Sequence, residues 1–141
     1  MTNSNRKGKT GERELANELK ARGFTARRGQ QFSGANGDAD VVGLPGIHIE
    51  CKRYKTITAG DLDTFMEQAK NDTPPAQLPA VFWRADRQKW RVTMTAAAFV
   101  SLVNHWPAGN PLAEWLDDEK VTLSLDDFIA IYKARKPRWP R

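Results

Sequence analysis

Gly37-Asp38-Ala39-Asp40-Val41-Val42-Gly43-Leu44-Pro45-Gly46-Ile47-His48-Ile49-Glu50-Cys51-Lys52 is the stretch that decides the fold. Apolar, β-prone residues stand on both sides of Pro45-Gly46, a dipeptide that turns the chain, so Asp40–Leu44 and Ile47–Arg53 read as paired strands. Side chains alternate along a strand. His48, Glu50 and Lys52 therefore share one face, and Ile47, Ile49 and Cys51 the other. Pairing across the turn brings Asp40 toward Glu50, and two carboxylates crowded in this way need a cation. A lysine on the face of Glu50 can hold water or a phosphate oxygen. Together these groups suit metal-assisted hydrolysis of a phosphodiester. Cys51 has no base fixed beside it and reads as a small core residue.

Outward toward the N-terminus, Phe24–Arg28 reads as a short strand. Gly29–Gly37, with three glycines and Asn36, reads as a loop able to close on a ligand. A helix is predicted from about Thr10 to a stop at Gly23, with Glu12, Leu15, Ala16 and Leu19 on one face. Glu12 heads that apolar face, while Glu14 and Glu18 fall on the solvated side. Met1–Lys9 is polar and basic without periodicity, and is expected to fray or to lie along nucleic acid.

Toward the C-terminus, Thr58 can cap a helix over Ala59–Asn71, with Leu62, Phe65, Met66 and Ala69 inward and Pro74-Pro75 ending it. Leu78–Trp83 and Trp90–Met94 read as a pair of strands at the sheet edge. Thr95 can cap a helix over Ala96–Asn104, and Ser124 another, with Asp127 in a partial box. The resulting fold class is α/β, a mixed central sheet flanked by helices, with a helical C-terminal extension. Residues 1–94 are assigned to a core with a basic N-terminal arm. Residues 95–141 are assigned to an extension packed on that core or at an interface.

Composition narrows the function. The chain has 141 residues and a net charge of +5, and residues 1–60 hold 11 of the 22 Lys/Arg but only 6 of the 17 Asp/Glu. Such a local excess suits a phosphate backbone. A single cysteine excludes an intrachain disulfide and a thiolate zinc cluster. With neither a leader pattern nor an apolar run of spanning length, an intracellular protein without membrane partners is expected. The run Lys133–Arg141 carries five basic residues and no acid, with Trp139 available to stack on a base.

The ordered motifs resemble those of the PD-(D/E)xK (restriction-endonuclease-like) superfamily, and within it the archaeal-type Holliday-junction resolvases and their phage relatives. The likeness is carried by Arg6-Lys7-Gly8-Lys9-Thr10-Gly11-Glu12-Arg13-Glu14-Leu15, by Gly23-Phe24 and the basic strand to Arg28, by Gly37–Gly43, and by His48-Ile49-Glu50-Cys51-Lys52. It covers roughly residues 6–83. The resemblance implies a restriction-endonuclease-like sheet and a Mg²⁺-dependent endonuclease, with Mn²⁺ as a substitute. Asp40 and Glu50 would be direct metal ligands, Glu12 would reach the metal through water, and a main-chain carbonyl at Cys51 would assist. Lys52 would be the catalytic lysine and Ser33 a functional serine of the loop. Register with the family favours Asp40 over Asp38.

Arg6, Lys7, Lys9, Arg13, Arg28, Ser33, Arg53 and Lys55 would face DNA, and Gln68 resembles a helix glutamine found in several branches. The substrate implied is branched or duplex DNA, cut to 5′-phosphate and 3′-hydroxyl ends. Paired nicks would require a homodimer, cytoplasmic and nucleoid-associated in a bacterial cell or phage-infected host. Two alternatives are a phage DNA-processing nuclease acting on flaps, ends or single strands, and a non-catalytic branched-DNA-binding protein. After Trp83 the chain departs from the compact resolvase pattern. The extension carries Trp90, Trp106, Trp115 and Trp139.

Overall fold

A computed structural model describes residues 4–30, 39–104 and 118–135, with residues 4–7 described by their backbone alone. The first helix, α1 (Ser4–Ala21), buries Leu15, Ala16 and Leu19. It starts earlier than the apolar periodicity indicates, because Arg and Lys are good helix formers and need no buried face to extend a helix already anchored downstream. Past its end Gly23 takes φ +97°; its N–H donates to the Lys20 carbonyl and the Phe24 N–H to that of Leu19, at 3.0 and 3.1 Å. A left-handed residue with these bonds satisfies the last helical carbonyls.

The two predicted strands flanking residues 29–37 shrink to β1 (Arg27–Arg28) and β2 (Val41–Val42). Phe24 leaves the strand and sets its ring edge-on to Tyr132, with centroids 5.8 Å apart. At Gly43 a Cβ would come within 2.8 Å of the Ala26 backbone, so only glycine lets the chain pass this close to Ala26 as β2 ends. β3 (Ile47–Tyr54) follows. Then α2 (Ala59–Asp72) opens on a complete capping box between Thr58 and Asp61, which satisfies two orphan backbone donors. β4 (Leu78–Ala85) returns parallel to β3, in register from Ile47 opposite Leu78 to Tyr54 opposite Ala85. This crossover lays α2 against one face of the sheet.

β5 (Arg91–Thr95) pairs antiparallel with β4, but it is not the edge. A strand absent from the expectation, β6 (Lys120–Ser124), pairs along it between α3 (Ala96–Asn104) and α4 (Leu125–Ala134). Its exposed and half-buried residues alternate over only five positions, too short a pattern to stand out in the sequence. Among the described residues the sheet has six strands in the order β1-β2-β3-β4-β5-β6. One face carries the main core, in which Ile49, Ala80, Phe82, Val92 and Met94 meet Leu15 and Leu19 of α1, Leu102 of α3, and Phe128 and Ile129 of α4. The rings of Phe82 and Phe128 meet edge to face at 5.3 Å. On the other face Val81 and Trp83 pack under Met66 and Ala69 of α2. Trp83 is buried there, its Nε1–H donating to Thr93 Oγ1 at 2.8 Å.

Glu14 also departs from its expected place. It is half-buried, accepts a 3.1 Å hydrogen bond from Trp90 Nε1, and pairs with Arg84. Helical projection cannot show this, because both partners come from the far side of the sheet in sequence.

Candidate active site

Four elements converge on Asp40. It stands immediately before β2, where its backbone N–H still donates to the Ile49 carbonyl at 3.2 Å. Its Oδ2 accepts the Cys51 N–H at 2.8 Å. Those two bonds fix the carboxylate beside β3, where alternation turns Glu50 and Lys52 toward α2 and Cys51 toward α1.

Glu50 is 3% exposed, its Oε2 has no hydrogen-bond partner among the described residues, and a side-chain hydrogen bond joins it to Asp40. Burial, then the neighbouring Asp40 charge, push its carboxyl up to about 8, and Lys52 only partly offsets this. Burial beside a second carboxylate thus favours the protonated form of Glu50 when no cation is bound. An orphaned oxygen on a buried carboxylate fits a site built for a cation. Asp40 and Glu50 together offer a divalent ion hard oxygen donors of the kind Mg²⁺ takes.

Glu12 approaches from α1. A Cβ at Gly11 would lie 2.5 Å from the Cβ of Arg53, so the glycine permits the helix to lie this close to β3. Glu12 Oε1 accepts from Arg28 Nε at 3.0 Å. Burial raises its pKa, the Arg28 hydrogen bond opposes the rise, and the Asp40 charge adds to it. The Glu12 carboxylate is paired with Arg28, whereas Glu50 has only the partial offset of Lys52 among the described residues. Among the described residues, no three or more His, Cys, Asp or Glu side chains form a ready-made metal cluster.

Lys52 Nζ donates to Gln68 Oε1 of α2 at 2.8 Å and lies 5.1 Å from the Phe65 ring centroid. Gln68 therefore sits where it positions the ammonium. His48, one alternation before Glu50, is buried; desolvation lowers its pKa against the pull of Asp40, Asp72 and Gln77. It lines a cavity of about 670 Å³ together with Phe24, Val41, Gly43 and Gln77. The Cys51 thiol is raised well above its usual pKa by burial and then by the surrounding carboxylates, which leaves it inert.

The basic residues divide. Lys9, Arg13 and Lys55 are exposed. Arg28 is committed to Glu12, and Arg53 Nη1 donates to Asp86 Oδ1 at 2.6 Å and to the Tyr54 carbonyl at 2.9 Å. Arg6 and Lys7 belong to the backbone of α1, and their side chains lie outside the described residues. Ser33, most of the 29–37 loop, Asp38, Trp106, Trp115, Trp139 and the tail beyond Arg135 lie outside the described residues. Sequence reasoning missed the exposed Tyr54 ring stacked on Phe65, although the alternation from Glu50 through Lys52 reaches Tyr54 next.

No helix among the described residues is long and apolar enough to cross a membrane. No curated protein matches the chain. Among solved structures it is similar to Archaeoglobus fulgidus Hjc, described as a Holliday junction resolvase from an archaeal hyperthermophile. The identity is 27%, over 57% of this chain and 70% of that one, with a TM-score of 0.38. The family profile described as "Phage putative PDDEXK endonuclease" matches residues 3–114, a span that contains Glu12, Asp40, Glu50 and Lys52. By that match over most of its length, the chain belongs to this family of the PD-(D/E)xK nuclease superfamily.

Proposed function

We propose that the chain is a metal-dependent endodeoxyribonuclease that cuts branched DNA, resolving four-way junctions by paired nicks. The observation that carries the hydrolytic part is the half-buried Asp40 beside the buried Glu50, whose Oε2 has no hydrogen-bond partner among the described residues, two residues along β3 from Lys52. Family membership supports the same reading. The preference for junctions rests on the resemblance of the ordered motifs in residues 6–15, 37–43 and 48–52.

Asp40 and Glu50 would hold Mg²⁺ or Mn²⁺, with Glu12 and the Cys51 carbonyl in support. When bound, such an ion supplies positive charge to the scissile phosphate and makes water a better nucleophile near neutral pH. The chain's own groups do the rest. The Cys51 N–H keeps Asp40 in place, and Gln68 and the Phe65 ring hold the Lys52 ammonium where it can orient attacking water or a phosphate oxygen. The exposed Lys9, Arg13 and Lys55 would engage the backbone, which gives affinity without sequence preference. A homodimer would supply the second site needed for paired cuts.

The test is cleavage of matched four-way junction, flap, duplex and single-strand substrates in Mg²⁺ and Mn²⁺, with Asp40→Ala alongside. Symmetric nicks across the junction, leaving 5′-phosphate and 3′-hydroxyl ends and abolished by the substitution, are expected. Equal cutting of linear duplex would remove the junction assignment, and binding without cleavage would remove the enzyme. Light scattering with and without junction should count two chains per junction.

A further inference from the structure

Tyr54 is the last residue of β3 and falls on the same face as Glu50 and Lys52, one alternation beyond the lysine. At 43% exposure it is one of only two large hydrophobic residues left open among those described, the other being Val103 on α3. Its ring stacks on Phe65 with centroids 5.6 Å apart and planes within 12° of parallel. Phe65 in turn packs against the cluster of Met66, Ala69, Val81 and Trp83, so the tyrosine rests on a fixed support. Although stacked on Phe65, the tyrosine keeps nearly half of its surface open to solvent.

Lys52 belongs to the same array, since its ammonium sits over the Phe65 ring and on Gln68. Two residues along a strand span about 6.7 Å, a gap that one nucleotide step can bridge. Exposed Lys55 follows directly, which leaves an aromatic face bordered by cationic groups. That is the combination that binds unpaired nucleic acid, the charge tracking the backbone and the ring accepting a base.

We propose that Tyr54 is a stacking platform for an unpaired nucleobase adjoining the phosphodiester that Lys52 serves. The proposal rests on the nuclease reading and sharpens its substrate. In continuous duplex both faces of every base are covered by neighbours. A base becomes available to Tyr54 only at a branch point, flap, frayed end or single strand, so the platform selects interrupted DNA over plain duplex.

The test uses the full chain in EDTA, so that binding is read without turnover. One probe carries 2-aminopurine as an unpaired nucleotide beside a branch point; the other is a fully paired duplex of equal length. Wild type should change the probe's fluorescence as the base stacks. Tyr54→Ala and Tyr54→Leu should lose that signal and bind the unpaired probe about tenfold more weakly, with duplex affinity unchanged. Tyr54→Phe and Tyr54→Trp should restore both. Tyr54→Leu keeps an apolar contact on Phe65, so it guards against a fold defect in the alanine variant.

Unaltered signal and affinity in both truncated variants, or an equal loss on duplex, would overturn the platform. Cleavage in Mg²⁺ is scored separately. A wild type that stacks the base but never cuts would defeat the nuclease reading and leave the platform standing; one that cuts with no dependence on Tyr54 would do the reverse.

Discussion

The two faces of β3 are built to opposite rules. Toward α1, Ile47 and Ile49 enter the main core and Cys51 packs against it. Toward α2, His48 and Glu50 are as deeply buried but polar, and Lys52 is tethered to Gln68. Burying an apolar side chain stabilises the fold, whereas burying an unpaired carboxyl costs stability unless it stays protonated or finds a cation. One strand thus divides its work by parity. One set of alternate residues holds the sheet to the helices, and the other keeps Glu50 and Lys52 in a place that the fold alone would not favour.

The sharpest way to break this division is at Asp40. Asp40→Ala should cut Mg²⁺-dependent cleavage by about a hundred- to a thousandfold, with the thermal midpoint unchanged or raised, as read by single-turnover assays and circular dichroism. Lys52→Ala should lose turnover similarly while keeping most of the DNA affinity. Full activity of either variant would take the α2 face out of the chemistry. On the other face, Ile49→Ala should destabilise the chain by about 2–5 kcal/mol in urea titration, with near-normal cleavage per folded molecule at low temperature. Loss of activity without loss of stability would contradict the parity argument.

A smaller effect should appear in the pH dependence of stability. The Glu50 carboxyl, ordinarily near 4.5, is pushed up to about 8 in the fold. The folded chain therefore keeps a proton that the unfolded chain releases across that window. Stability of the cation-free protein is full below about pH 4.5 and declines as pH rises through 8. Glu50→Gln should flatten that decline, raise the cation-free midpoint by several degrees at pH 8 and above, and abolish the midpoint increase that Mg²⁺ gives the wild type. A wild type with no decline over the window would mean that the pair is not strained.

The least effect is expected at Glu14, outside the site. Glu14→Ala should cost about 1–2 kcal/mol by leaving the Trp90 N–H and Arg84 without their acceptor, and should leave cleavage of folded protein intact. A neutral variant would return Glu14 to the solvated side of α1.

Much of this was legible one element at a time. The Pro45-Gly46 turn, the alternation of Ile47–Arg53 and the Thr58 cap are local, since each depends on residues a few positions apart. They led to β3, to α2 and to the pairing of Asp40 with Glu50. The sequence itself therefore determined which side chains share the face of Glu50 and which carboxylates crowd together. It could also have reached Tyr54 by one more alternation. The tertiary structure alone decided what those side chains meet. That Arg28 pairs with Glu12 while Glu50 has only the partial offset of Lys52, that Gln68 holds Lys52, and that Glu14 serves Arg84 and Trp90 are contacts between elements separated by 16 to 76 positions. β6 belongs with them, because a five-residue strand extends the sheet only when β5 is already there to pair with it. Periodicity fixes the face on which a residue stands, while its partners depend on how helices and strands pack across the sheet.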